Sequence, residues 1–300
     1  MTSQNTIPAT AIPLWQRRLL EAIQTVSAEY THLATTSDPR DRLASDLSYR
    51  HNQRLDLIRR ADILGVPGAW IDLARTQGDS GHPWRSDTAL PEDGGARDRL
   101  LERLHGQLRT LDEMAVVDTE RHHRRADAAP PPELAAAGAD DYLRTAVRHN
   151  MNLQWQLAST YADAISATPA ERDRVRDAIT ADRSRTLDTA AVLDSYTLER
   201  KWETFASPWF AADLQRLHDT LEPDPDHPSA QPAPGFPTPY TVLGQVQAQR
   251  RHHPRPDPPP HATATAIDLA VPADLSRSWT AHQPPITPAP DASSAPGPEP

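Results

Sequence analysis

The residues able to do acid–base or metal chemistry in this chain occur as isolated pairs. Glu102 and His105 have the i, i+3 spacing of di-iron carboxylate bundles, but such sites need two of these pairs and two further glutamates from facing helices. Glu199 and Glu203 lie four residues apart, and no partner pair of that spacing accompanies them. The sequence also contains no cysteine, no phosphate-binding glycine loop ending in Lys-Ser/Thr, no Gly-x-Ser-x-Gly and no His-Glu-x-x-His. We therefore predict a protein with no catalytic residues, no metal and no cofactor, which is not an enzyme.

Two short basic clusters are the other groups of charged residues that stand out. Residues 121–125 read RHHRR and residues 250–253 read RRHH. Adjacent histidines point to different faces of a helix, so neither cluster is a good metal clamp. The first cluster lies at the predicted end of a helix, where the helix dipole favours cations. The first cluster is predicted either to cap that helix or to contact a phosphate or an acidic partner. The second cluster lies in the predicted tail and is a candidate contact patch for a phosphate or an acidic partner.

Composition excludes several classes of protein. The 300 residues carry a formal net charge of -10, which argues against a basic nucleic-acid coat. No apolar run reaches the roughly 20 residues that a membrane span needs. Lys201 is the only lysine among 31 basic residues, a bias typical of high-GC bacterial genomes. The first residues show no secretory signal, so we expect a cytoplasmic bacterial protein.

Apolar residues at steps of three and four predict an all-α body of about seven helices over residues 12–221, after a flexible segment 1–11. The stripe Trp15, Leu19, Ile23, Val26, Tyr30 and Leu33 is one example. The sequence Thr168-Pro169-Ala170-Glu171 is a helix-start signature, with a cap, a proline and a glutamate that reaches back. The predicted segments are helices at 12–33, 39–64, 96–126, 140–167, 168–181, 187–205 and 208–221, and a glycine- and proline-rich loop at 76–95.

A heptad-like seam lies in the predicted helix 96–126. Its a/d positions are Leu101, Leu104, Leu108, Leu111 and Ala115. The seam covers about two heptads, which is too short to establish a coiled coil. It indicates a possible homo-oligomer through residues 101–115.

Proline dominates the end of the chain. Of 31 prolines, 20 follow residue 220. Proline fixes φ and removes a backbone donor, so helices and sheets cannot run through such sequence, and little apolar surface remains to order it. We predict that residues 222–300 form a disordered, partly polyproline-II tail. Two apolar islands, 240–251 and 264–279, are predicted to order as a helix or strand on a partner.

The segment 57–78 has the spacing of a helix–turn–helix. Ala61 lies where two helices cross, Gly65 four residues later permits the positive φ of the turn, and Val66 and Ile71 are placed to anchor the second helix. This pattern resembles the helix-turn-helix of bacterial DNA-binding proteins of the MerR and excisionase type. The resemblance covers about 20 residues and implies DNA binding by the second helix.

The groove-facing positions of that second helix depart from the pattern. They hold Gly68, Ala69, Asp72 and Leu73, which make no bidentate contacts to guanine or adenine. Only Arg75, Thr76 and Gln77 at the far end are candidates for nucleic-acid contact, and eight arginines and eight aspartates balance over residues 38–87. The alternative is a corner that only turns the chain, with its tryptophan as a packing residue.

Two functions follow as hypotheses. The first is a non-enzymatic helical interaction or scaffold protein, with an unknown protein partner on the body or on the proline-rich tail. The second is a DNA-binding accessory or regulatory protein of a bacterial mobile element that uses the helix-turn-helix-like segment. A helical-bundle enzyme stays a third possibility, because polar clusters can assemble from distant positions.

Overall fold

Nine α-helices and one short antiparallel strand pair make up the part of the chain that the computed structural model describes, residues 5–35, 41–127, 134–221 and 235–252. The predicted all-α fold is confirmed. The described residues belong to one unit, Met1–Pro256, and a second unit, Asp257–Pro300, lies outside them. The elements are β1 Thr6–Pro8, a 3-10 turn Ala9–Ala11, α1 Leu14–Thr35, α2 Asp41–Ile63, α3 Gly68–Asp79, β2 Ala89–Pro91, α4 Ala96–Asp127, α5 Leu134–Ala164, α6 Pro169–Val192, α7 Ser195–Ala206, α8 Pro208–Leu221 and α9 Pro239–His252.

The N-terminal segment differs from its prediction as a flexible stretch. β1 pairs with β2, so that Ile7 lies opposite Leu90, and Ala9 donates its backbone N–H to the Thr88 carbonyl at 2.9 Å. Ala9 and Leu90 are buried. The predicted loop 76–95 is likewise shortened at its start by α3 and interrupted by β2. Strands of three residues are too short for sequence periodicity to detect.

The first three helices form a layer in which α1 packs on both α2 and α3. The predicted stripe of α1 is buried at Trp15, Leu19, Ile23 and Val26. This layer shares one apolar core with α5 and α8. The Tyr161 hydroxyl of α5 donates to the Leu64 carbonyl at 2.8 Å, and burial raises the pKa of Tyr161, so the phenol keeps its proton.

The remaining helices pack around α4 and α5. The seam residues Leu104, Leu108, Leu111 and Ala115 are buried inside the chain, while Leu101 is partly buried. The seam therefore packs α4 against its own neighbours α5, α6 and α9. The homo-oligomer through residues 101–115 stays a prediction, which would have to use the exposed residues of this segment, such as Glu102 and Arg109, and not the seam.

Helix α6 begins where the sequence places it. Thr168 and Glu171 form the expected capping box, with Pro169 in the first turn. The helix ends later than predicted, however, because it runs unbroken to Val192 instead of stopping at Ala181. Residues 170–192 contain no glycine or proline that would end it.

Part of the predicted tail belongs to the helical body. The island 240–251 lies within α9, which packs on α4 and buries Val242, Leu243 and Val246. The prediction of disorder is therefore wrong for residues 239–252. The start of α9 has a local signal, with a threonine before Pro239. The Thr238 hydroxyl caps the helix by accepting the Thr241 N–H at 3.3 Å. Residues 235–238, which directly precede α9, are also described. The rest of the predicted tail, 222–234 and 253–300, lies outside the described residues.

Candidate functional site

The corner between α2 and α3 has the backbone expected of it. Gly65 has φ +77°, and a Cβ there would lie 3.0 Å from Arg103 Cγ. The Val66 N–H donates to the Ala61 carbonyl at 2.9 Å, which closes the turn. Ala61, Val66 and Ile71 are all buried. Of the four predicted scaffold residues, Gly65 and Val66 thus form the turn, while Ala61 and Ile71 are buried on the two helices that it joins.

The candidate nucleic-acid contacts lie at the far end of α3. Thr76 is exposed, and Arg75 and Gln77 are half-buried. Arg75 lies between two carboxylates, 3.4 Å from Asp72 Oδ1 and 3.5 Å from Asp79 Oδ2. The sole cation among these predicted contacts is therefore engaged with two acids on its own helix.

The packing of α3 involves α1 and β2 more than α2. Trp70 is buried and donates its indole N–H to the Pro91 carbonyl at 2.7 Å. Gly78 lies so close to α1 that a Cβ would overlap the Gln24 carbonyl and stand 2.7 Å from Ser27 Cβ. Gly68, Ala69 and Asp72 stay exposed on the opposite face. That face carries small or acidic side chains.

The two basic clusters meet through one buried acid. Glu120 is fully buried on α4 and accepts from Arg124 Nε at 2.7 Å and from Arg250 Nε at 2.8 Å. Arg124 also donates to the carbonyls of Ala190, Ala191 and Leu193, at the end of α6. Arg124 and Arg125 lie in the last turn of α4, as predicted, and Arg124 in addition caps the end of α6.

Arg121 occupies the most enclosed cationic position of the first cluster. Its guanidinium binds both carboxylate oxygens of Glu199, at 2.8 and 2.7 Å, and Asp140 at 2.5 Å. It also stacks 3.5 Å from the centre of the Trp202 ring. Burial disfavours the charge of Asp140, but the hydrogen bond and charge of Arg121 outweigh it and lower the pKa of Asp140. These contacts join α4, α5 and α7.

A groove of about 400 Å³ lies between α4, α6, α9 and the turn before α9. Its walls are mostly apolar and are formed by Leu108, Leu111, Ile179, Phe236, Pro237 and Val242. Asp112 and Arg183 form a buried ion pair in the lining, with 2.7 Å between Arg183 Nε and Asp112 Oδ1. Burial raises the pKa of Asp112 although Arg183 opposes the shift. Sequence analysis missed this site because its walls come from three helices far apart in the chain.

The acidic pairs considered for metal binding are separated or already engaged. Glu102 is exposed and His105 half-buried on one face of α4, whereas Glu199 binds Arg121 and Glu203 lies 3.6 Å from Arg200. Within the described ranges, no group of three or more histidines and acids could hold a metal ion.

No protein family, curated protein or solved structure matches the chain. None of the helices in the described part of the chain is long and apolar enough to span a bilayer.

Proposed function

We propose that this is a non-enzymatic helical interaction protein of the bacterial cytoplasm. Its helical body holds α9, and the proline-rich sequence that follows α9 from residue 253 serves as a ligand for a partner. The observation that carries the proposal is the docking of α9. Its last turn is held by the buried Arg250–Glu120 pair, whose side chains are 7% and 1% exposed. Removing the Glu120 carboxylate would take one buried acid away from both Arg250 and Arg124, a change that costs about 3–5 kcal/mol in comparable buried pairs. The last turn of α9, which directly precedes the proline-rich sequence, is therefore held at a defined place on α4.

The sequence beyond α9 suits recognition as an extended ligand. It contains Pro256-Asp257-Pro258-Pro259 and Pro285-Ile286-Thr287-Pro288, two segments of the Pro-x-x-Pro form. Such segments favour polyproline II and bind aromatic-lined grooves at low entropic cost. A partner domain with such a groove is the class of protein that we expect.

The test compares partners captured by chemical crosslinking and mass spectrometry. We would use the full chain, a chain ending at residue 252, and a full chain with Pro256, Pro259, Pro285 and Pro288 replaced by alanine. A chain with Pro296→Ala and Pro298→Ala serves as the matched control. We expect the chain ending at residue 252 and the four-proline variant to lose a partner that the control retains. The thermal midpoints of all chains should be unchanged. If all four chains capture the same partners, the proline-rich segment has no role in recognition.

DNA binding is the second candidate function. It is supported by the α2–α3 corner, with the positive φ of Gly65 and an α3 face open to solvent. Because Arg75 is paired with Asp72 and Asp79, we expect any binding of DNA by α3 to be weak and to lack base-specific contacts.

The DNA test measures fluorescence anisotropy of random-sequence duplex DNA over a salt titration. If α3 contacts DNA, affinity falls with salt and Arg75→Ala weakens it, whereas Arg85→Ala, an exposed arginine paired with Asp87, changes little. Absence of binding at low salt would leave the corner with a structural role alone.

A further inference from the structure

A pocket of about 440 Å³ lies beside the first turns of α1, and we infer that it binds a nucleoside monophosphate. Its lining combines residues of α1 with residues of the loop 80–88 that joins α3 to β2: Leu14, Arg17, Arg18, Glu21, Trp84 and Ser86. The volume is within the roughly 300–1,000 Å³ typical of small-molecule sites. The pocket shares no residue with the α2–α3 corner or with the proline-rich sequence, so it is independent of both functions proposed above.

The loop 80–88 is fixed to the body of the protein at both ends. Near its start, the buried Gln24 side chain of α1 donates to the His82 carbonyl at 2.6 Å. At its end, the Thr88 carbonyl accepts the N–H of the buried Ala9 at 2.9 Å. The wall that the loop contributes is therefore in place beside α1 before a ligand binds, as is usual for small-molecule sites.

Arg17 is the side chain that selects an anion. Every other buried or half-buried arginine whose side chain the structure describes forms an ion pair with an aspartate or a glutamate. The half-buried Arg17 guanidinium has neither an ion pair nor a hydrogen bond within the described ranges. Because a partly desolvated charge without a partner is unfavourable, an anionic ligand would stabilise it.

Two further donors of the lining are unused. The Ser86 hydroxyl and the indole N–H of the half-buried Trp84 have no acceptor among the residues that the structure describes. Indole N–H groups usually have a hydrogen-bond partner when they are removed from water. Together with Arg17, these groups give the pocket donors of three kinds. A phosphate group supplies three strong acceptor oxygens, and a guanidinium binds two of them in a bidentate manner.

The charges of the lining favour an anion but include one competitor. Arg17 and the exposed Arg18 are opposed by a single acid, Glu21, which is also exposed. Glu21 follows Arg17 by four residues on α1, a spacing that permits an ion pair, yet the two side chains form none. Glu21 is therefore the group that should oppose phosphate binding, and its removal should strengthen it.

The apolar part of the lining fits a planar ring. Leu14 is 37% exposed at the start of α1, and Trp84 adds an aromatic side chain from the loop. Nucleobases stack on aromatic side chains without regard to their sequence, because every base has a π-face. A phosphate joined to a base through a sugar therefore matches both parts of the pocket.

The experiment titrates the full-length protein with adenosine monophosphate by isothermal titration calorimetry, in a phosphate-free buffer of low ionic strength. Adenosine lacks the phosphate and ribose 5-phosphate lacks the base, so these two ligands test the two parts of the pocket separately. The variants are Arg17→Gln and Glu21→Gln. Arg85→Gln is the matched control, since Arg85 is an exposed arginine of the same loop outside the lining. Hydrogen exchange locates the site, and thermal midpoints verify that each variant is folded.

We expect adenosine monophosphate to bind about tenfold more tightly than either adenosine or ribose 5-phosphate, and to slow exchange in residues 80–88 and at the start of α1. Arg17→Gln should weaken its binding about tenfold, Glu21→Gln should strengthen it about twofold, and Arg85→Gln should leave it unchanged.

Each alternative outcome removes a defined part of the inference. Equal binding of adenosine and adenosine monophosphate would overturn the choice of an anion, and equal binding of ribose 5-phosphate would overturn the choice of an aromatic base. A loss from Arg85→Gln as large as that from Arg17→Gln would overturn the role of Arg17. Absence of binding by adenosine monophosphate, or protection confined to other segments, would overturn the site itself.

Discussion

Arg121 shows how a single side chain holds three helices of this protein together. Its planar guanidinium accommodates Glu199 and Asp140 on its donor edge and Trp202 on its face. A lysine offers one ammonium and no planar face, so it cannot reproduce this combination. The side chain is 4% exposed, and the pairs that it makes are therefore little screened by solvent.

Replacing Arg121 should be among the most damaging single changes in the chain. We expect Arg121→Ala to lower the free energy of unfolding by about 3–5 kcal/mol, because Asp140 and Glu199 would lose their buried partner. Arg121→Lys should restore only part of the loss. Urea unfolding at neutral pH measures both changes.

Arg125 supplies the matched control for this prediction. It contacts the same two acids but is 50% exposed, so Arg125→Ala should cost less than about 1 kcal/mol. Equal losses from Arg121→Ala and Arg125→Ala would mean that burial does not set the strength of this cluster.

At the level of elements, the contact between α1 and α3 depends on the absence of a side chain. Gly78 of α3 lies against the backbone of α1 at Gln24. The rigid neighbour there is a helix carbonyl, which cannot move aside as the end of a flexible side chain would. The close approach also explains why α3 is positioned by α1, although the sequence motif pairs α3 with α2.

The same substitution should have opposite effects at two glycines. Gly78→Ala should destabilise the protein by about 1–3 kcal/mol through overpacking. Gly106→Ala should stabilise it by about 0.5–1 kcal/mol, because Gly106 is exposed within α4 and a Cβ there meets nothing within 4 Å. Thermal or urea unfolding of both variants measures the difference. Similar effects of the two substitutions would contradict the close packing of α1 on α3.

Local sequence signals predicted most helices because those signals act within a few residues. The capping box at Thr168 and the turn at Gly65 are of this kind, and both occur in the structure. The sequence of α9 resembles the tail around it because prolines flank it and only Val242, Leu243 and Val246 supply its buried apolar face. Its docking depends on Arg250 reaching Glu120, a contact across 130 positions that no local pattern encodes.

At the scale of the whole molecule, charge pairs between distant segments are what the sequence could not reveal. The balance of arginines and aspartates over residues 38–87 indicates no basic face, but it does not reveal that Arg59 reaches Asp213 at 3.2 Å. In the same way, no local pattern reveals that Arg97 reaches Glu171. The groove is hidden for the same reason, since Asp112 and Arg183 are 71 positions apart. Such pairs become visible only when the fold is known.

Hydrogen bonds to carboxylates make the free energy of unfolding depend on pH in the acid range. Arg97 donates to Glu171, and with the Thr168 N–H it lowers the pKa of Glu171 to about 2, from 4.5 for an ordinary glutamate. The pKa of Asp194 is also lowered, by the backbone N–H of Thr197. Because the unfolded chain binds protons at a higher pH than the folded one, this stabilisation is present above about pH 4.5 and is lost as the pH falls towards 2. Asp112 has the opposite sign, because its raised pKa makes stability fall as the pH rises through it.

Glu171→Gln tests this linkage directly. Glutamine retains the shape of the capping side chain but not its charge, so the variant should lose about 1–2 kcal/mol of unfolding free energy at neutral pH, a range discounted for the half-exposed Arg97. The difference from wild type should shrink as the pH is lowered below 4.5 and be small near pH 2, where about half of wild-type Glu171 in the folded protein is protonated. Urea unfolding at a series of pH values measures it, with Glu102→Gln as the control, since Glu102 is exposed and has no ion pair within the described residues. A constant difference between Glu171→Gln and wild type across this pH range would show that the Arg97–Glu171 pair does not contribute through its charge.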